Sequence, residues 1–144
     1  MFTRQDEVRP DDRYYWVTAN PDGSFTGVPK ELEDREEFDA DGNPMYVKVL
    51  GEVDGKPAMV DSTQRLIAKG LKSNHIAQVK QAANAILSQT DWMIIRKIER
   101  SVDIPADVAT YRAAVVAWAT ATEASITAVT TVEQLKEINL GVSI

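Results

Sequence analysis

The spacing of apolar residues changes character near residue 61. Before it, short runs of aromatic and β-branched residues are separated by turn formers. Tyr14-Tyr15-Trp16-Val17-Thr18, then Asn20-Pro21-Asp22-Gly23, then Ser24-Phe25-Thr26-Gly27-Val28 predicts two strands around a turn. Met45-Tyr46-Val47-Lys48-Val49-Leu50 alternates in part, and Asp54-Gly55 separates Gly51-Glu52-Val53 from Lys56-Pro57-Ala58-Met59-Val60. Asp-Gly suits a type I′ hairpin, in which both central residues take positive φ. Pro57 cannot donate a ladder hydrogen bond, which puts its strand at an edge or confines it to Ala58–Val60. The stretch between the hairpins, ending in Asp41-Gly42-Asn43-Pro44, predicts a loop with room for a helical turn.

Beyond residue 61 the period becomes helical. Ile67, Leu71, Ile76, Val79, Ala83 and Ile86 predict a helix from Thr63 to Leu87, with Asp61, Ser62 or Thr63 as its cap. Thr90 or Asp91 caps a short helix, Trp92 to Arg100, with Ile94, Ile95 and Ile98 on its apolar side. Pro105 suits a first helical position, and Asp107 meets the positive end of the helix dipole. The seam of that helix is Ile104, Val108, Tyr111, Val115, Trp118, Thr122, Ile126 and Val129, almost heptad in period. Thr130-Thr131-Val132-Glu133 resembles a capping box opening a last short helix. The expected class is α+β: an acidic antiparallel β module over residues 1–61, then a helical hairpin region with short accessory helices over 62–144.

The seam requires a partner surface. Ile76, Val79, Ala83 and Ile86 supply one within the chain, and a second chain could supply another. Val115 and Trp118 are therefore expected to be structural. The opposite face, with Ala109, Ala113, Ala117, Thr120 and Ala121, is small and poor in charge, so another helix could approach it closely.

Charge sharpens the division. Residues 1–61 hold 15 Asp+Glu and 7 Lys+Arg, net −8, whereas residues 62–144 hold 7 and 9, net +2. Seven carboxylates lie between Glu31 and Asp41, read first as a solvated loop and second as an acidic docking patch. An acidic half repels phosphate backbones, which disfavours nucleic acid as a partner. The chain has no cysteine, hence no disulfide framework, thiolate metal site or thiol nucleophile. Its opening, Met1 to Glu7, has no apolar signal core, and no apolar run approaches the roughly 18 residues of a membrane span. The expected compartment is the cytosol or a particle assembled there.

Catalytic motifs are sparse. His75 is the single histidine and has no metal-spaced companion, so a structural role is expected. Asp39-x-Asp41-Gly42-Asn43 fails as a calcium loop: counting from Asp39, glycine falls at the fourth position and Leu50 at the twelfth. There is no Walker sequence, no dinucleotide-binding glycine motif and no nucleophile elbow. No cofactor, metal or catalytic residue is assigned. The aromatic cluster Tyr14, Tyr15 and Trp16 is the preferred partner-binding surface. Side chains alternate along a strand, so one face should be buried, either Tyr15 or the Tyr14/Trp16 pair, and the other should be exposed.

One stretch carries more than composition. In residues 86–117, ILSQTDWMIIRKIERSVDIPADVATYRAAVVA, a helix ends before Thr90-Asp91-Trp92, and a Pro105-led helix carries Tyr111-Arg112-Ala113. This order resembles the C-terminal part of the tail fibre assembly proteins, or tail assembly chaperones, of tailed bacteriophages. The resemblance implies association with a tail fibre or baseplate protein, as an assembly chaperone in the host cytoplasm or as a part retained in the virion tail. It implies a non-catalytic role, in which Trp92 closes the end of the first helix and Tyr111 lies on the seam. Arg112 and Trp92 have a second reading as partner contacts, because Arg and Trp are enriched at interface hot spots. Arg112 is placed with the partner-binding residues and Trp92 with the structural ones. Family members often carry a shorter, more charged insert, whereas Met93-Ile94-Ile95-Arg96-Lys97-Ile98 is apolar and favours a permanent packing partner, a homo-oligomer included. The other classes weighed are a regulatory protein-binding domain and a carboxylate-based accessory hydrolase.

Overall fold

The structure, a computed structural model, describes residues 9–144, so the Met1–Glu7 opening lies outside the described residues. The fold is α+β, with strands in the N-terminal half followed by helices. The strands form three separate two-stranded antiparallel sheets. β1 (Tyr15–Ala19) pairs with β2 (Phe25–Pro29) across a turn fastened by Asn20, whose side-chain amide donates to the Ser24 and Thr26 hydroxyls at 3.1 and 2.9 Å. β3 (Arg35–Glu36) pairs with β6 (Ile67–Ala68). β4 (Tyr46–Val53) and β5 (Lys56–Arg65) form a long ribbon closed by Asp54 and Gly55, at φ 53° and 77°. Both values are positive, as a type I′ turn requires.

β5 corrects the expected boundary. Residues 62–65 continue the strand instead of opening a helix, so the β module runs past residue 61 to Ala68. Ser62 explains part of this, since its hydroxyl donates to the Val47 carbonyl at 2.7 Å beside an irregularity in the ladder. Arg65 anchors the ribbon's base: its guanidinium donates to the carbonyls of Met45 (3.2 Å) and Glu37 (3.1 Å) and to the Glu36 carboxylate (3.0 Å). The stretch before the ribbon holds no helical turn. A bridge joins Phe38 to Pro44, and Asp39 accepts from the amides of Asp41 and Asn43.

α1 (Leu71–Leu87) begins eight residues later than the helical spacing suggests, and the acidic segment closes its start. The Leu71 and Lys72 amides donate to the carbonyls of Glu31 (2.9 Å) and Leu32 (3.0 Å). Asp34 accepts from the Gly70 amide (2.9 Å) and the Ser73 hydroxyl (2.6 Å), capping the helix from 36 residues upstream. The crossing is close. A Cβ on Gly70 would lie 2.4 Å from the carbonyl oxygens of Leu32 and Glu33, so only glycine fits. The expectation of a purely solvated acidic loop is thereby corrected: Glu31 to Asp34 complete a helix terminus that would otherwise leave free N–H groups.

α2 (Asp91–Arg100), α3 (Ala106–Ala128) and α4 (Val132–Lys136) follow. α3 lies antiparallel to α1, and the core sits at one end of this hairpin. Val79, Val115, Ile126 and Leu135 are fully buried, with Leu71, Val129 and Val132 beside them and Trp118 packed at the margin. α4 reaches this core because Thr131 caps it: the hydroxyl accepts from the Gln134 amide at 3.2 Å, and the Gln134 side chain accepts from the Thr130 amide at 2.8 Å. The third helical residue is thus Gln134, not Glu133, and its side chain reaches the amide of Thr130, the residue before the cap, instead of that of Thr131.

Candidate functional site

The two ends of the α1–α3 hairpin are fastened by one cation each. At the far end, Arg112 on α3 donates to the last-turn carbonyl of α1 at Leu87 (2.7 Å), to the Thr90 hydroxyl (2.7 Å) and to the Asp91 carboxylate (2.9 Å). One planar guanidinium therefore satisfies a helix C-terminus and fixes the start of α2. At the near end, Lys72 on α1 donates to the Thr127 carbonyl of α3 (2.9 Å) and pairs with Glu33 at 2.6 Å. Arg112, expected as a partner contact, is instead largely buried and spent inside the chain. Thr90-Asp91 and Arg112, the two parts of the segment singled out above, form one bonded unit.

What Arg112 holds in place is an apolar stripe. α2 has no buried residue, and Trp92, Ile95, Ile98 and the following Val102 are exposed at near-helical spacing. Trp92 is 52% exposed with the Arg96 guanidinium 4.8 Å from its ring centre, and Ile98 is 77% exposed. The expected role of Trp92, closing the end of the first helix, is corrected: the indole faces outward and Thr90, Asp91 and Arg112 close that end. Tyr111 is corrected too. At 48% exposed it leaves the seam and lines an open apolar depression with Ala106, Thr110, Ala114 and Ile144. The seam's buried part starts at Val115.

The aromatic cluster divides differently from strict alternation. Tyr14 precedes β1, and its ring tilts against His75 on α1 with centroids 5.6 Å apart. Tyr15 packs on the core, its hydroxyl donates to Glu133 and the Lys136 ammonium lies 5.2 Å from its ring centre. Both tyrosines thus join the β module to the helices, which corrects their expected place on a partner surface. Of the three only Trp16 is exposed, at 64%, beneath the Lys30 ammonium, 4.6 Å from its ring centre.

His75 is buried. Its Nδ1 donates to the Leu71 carbonyl at 2.9 Å, since a carbonyl can only accept, so the lone pair is on Nε2. Nε2 is buried without a hydrogen-bond partner, and burial holds the imidazole pKa below the usual 6.5. That geometry gives it no group to activate. Among the described residues, no three or more His, Asp or Glu side chains come together to hold a metal ion, and no helix is long and apolar enough to cross a membrane.

Uncovered apolar surface is the dominant feature. The ribbon contributes Val49, Leu50, Val53 and Met59, all exposed, and among the described residues no other strand or helix makes more than slight contact with β4 or β5. Comparison with known protein families, with curated proteins and with solved structures finds no match.

Proposed function

We propose that this chain is a non-catalytic bacteriophage tail protein that binds a tail fibre or baseplate protein through exposed apolar surfaces. The observation that carries the binding role is the stripe of Trp92, Ile95 and Ile98 on α2, with Val102 just beyond it, exposed on a helix whose start is held by the Arg112 clamp. An exposed, ordered apolar stripe is an interaction site more often than a random feature of a monomer, and a rigid one loses little entropy on docking. The phage assignment rests on the resemblance of Thr90-Asp91-Trp92 and Tyr111-Arg112 to tail fibre assembly proteins. The bonding between Thr90, Asp91 and Arg112 supports it by giving those residues a shared physical task. Trp16 beside Lys30 is a second contact point.

The test is co-purification of the chain with the tail fibre protein and, separately, the baseplate protein of the same phage. One of the two is expected to form a stoichiometric complex. The double change Ile95→Ser and Ile98→Ser should weaken it about a hundredfold while leaving the melting curve of the free chain in place. No complex with either protein contradicts the proposal. Mass spectrometry of purified virions separates its two forms: stoichiometric presence indicates a resident part, and absence an assembly chaperone. A hydrolytic rate removed by a single Asp or Glu substitution would contradict the non-catalytic reading.

A further inference from the structure

We infer that the free edge of β4 pairs with the same edge of a second copy of this chain, joining two ribbons into one four-stranded antiparallel sheet. The two edges of the ribbon differ. β5 carries Pro57, which removes one outward N–H, and proline is a usual guard on an edge strand. β4 has no proline between Met45 and Val53, and among the described residues no strand but β5 pairs with it.

The register follows from hydrogen-bond parity. The two-residue Asp54-Gly55 turn makes Val53 and Lys56 the closing, hydrogen-bonded pair. Alternation then turns the N–H and C=O groups of Gly51 and Val49 toward β5, and those of Glu52, Leu50 and Lys48 outward. Two antiparallel copies of β4 can bond only by setting outward residues opposite outward residues. With Leu50 on the two-fold axis, Lys48 faces the partner's Glu52, and Glu52 faces the partner's Lys48. Moving the axis to Val49 sets Lys48 opposite Leu50, and moving it to Gly51 sets Glu52 opposite Leu50, so both lose the charge match.

The side chains agree with that axis. Lys48, Leu50 and Glu52 share one face with Pro57, Met59 and Asp61 of β5. Leu50 is 75% exposed and its cross-strand neighbour Met59 is 61% exposed. In the paired sheet these become a continuous apolar row, with the partner's Leu50 and the partner's Met59 completing it. Lys48, already paired with Asp61 in the single chain, gains a second carboxylate. On the other face Val47 comes opposite the partner's Val53.

Sedimentation equilibrium of the full chain, with no tail protein present, tests this independently of the phage proposal. A monomer–dimer equilibrium at micromolar concentration is expected. Glu52→Lys and Lys48→Glu each place two like-charged pairs at the axis and should weaken the dimer about tenfold, with circular dichroism checking that each variant is folded. Mixing the two variants restores opposite charges at both pairs, so the mixture should dimerise where neither variant does. Hydrogen exchange should show the Lys48, Leu50 and Glu52 amides protected only at concentrations where the dimer forms. A chain that stays monomeric, a dimer indifferent to both variants, or a mixture that fails to dimerise overturns the inference. Protection of those three amides only on addition of the tail fibre protein also overturns it, and assigns the edge to a foreign strand.

Discussion

The helical hairpin and the β4–β5 ribbon are held together by different physics. In the hairpin, Val79, Val115 and Ile126 are fully buried, and each end is clamped by a cation on helix carbonyls, Arg112 on Leu87 and Lys72 on Thr127. In the ribbon no residue is buried, and stability comes from the ladder, the Asp54-Gly55 turn and the Arg65 anchor. A two-stranded ribbon is marginal by itself in water. Under the proposals above the tasks divide along this contrast: the hairpin maintains the fold, and the ribbon, with α2, is the surface proposed to meet a second protein.

The sharpest way to break that division is to attack the hairpin. Val115→Asp puts an unpaired carboxylate in a fully buried position, at a cost of several kcal/mol. Thermal unfolding should lose its cooperative transition, and a normal melting curve would show that the ribbon, not the hairpin, carries the stability. Next in size is Arg112→Ala, which removes the donor to the Leu87 carbonyl and the ion pair with the half-exposed Asp91 carboxylate and should cost about 2 kcal/mol in denaturant midpoint analysis. Arg112→Lys should recover only part of it, since one ammonium cannot reproduce a planar fork.

Acid titration sharpens the comparison further, because two groups whose pKa values shift on folding lie where the β module meets α1. The His75 pKa is lowered, first by burial, with the positive charge of Arg13 adding to it and the Leu71 bond opposing it. The unfolded chain therefore takes up the proton first. Stability contributed by the neutral ring is fully present above about pH 6.5 and is lost as pH falls through the folded pKa. His75→Leu should remove that part of the slope of melting temperature against pH. Asp34 acts in a separate window. Its pKa lies below the usual 3.8, first through the Ser73 hydroxyl and then the Gly70 amide, so its stabilisation is present above 3.8 and lost below. Asp34→Asn should flatten the lower window alone. The smallest expected effect is in the ribbon. Leu50→Thr should change the stability of the monomer by less than about 0.5 kcal/mol, because the side chain is already in water.

How much of this was legible in the sequence depended on how far apart the interacting residues lie. Asp54-Gly55 was legible because its φ requirement is local, and so was a threonine cap before the last helix, although the residue that caps is Thr131 and the expected box was Thr130 with Glu133. The buried seam from Val115 to Val129 followed from its period, which Tyr111 leaves because it lies one residue before Arg112, the α3 position that meets the last turn of α1 at Leu87. The start of α1 was misread: Ile67 and Leu71 fit a helical spacing, but Ile67 lies in a strand opposite Glu36. Asp34, Lys72 and Arg65 were missed as organisers, since their partners are 20 to 55 residues away and nothing local marks them. The aromatic run Tyr14-Tyr15-Trp16 was seen but sorted wrongly, because Tyr14 lies before the strand and does not obey its alternation. Arg112 was read as a surface contact for the same reason that its clamp was invisible: Leu87, Thr90 and Asp91 come to it only in the folded chain.

Native-state hydrogen exchange on the dilute, monomeric chain tests the division of labour most directly. Amides of Val79, Val115 and Ile126 should exchange only through global unfolding. Those of Val49, Gly51 and Val53, although bonded to β5, should exchange orders of magnitude faster through local opening of the ribbon. Equal protection of the ribbon and the hairpin in the monomer would contradict the account, because the ribbon would then be part of the stable core and would need no second protein to cover it.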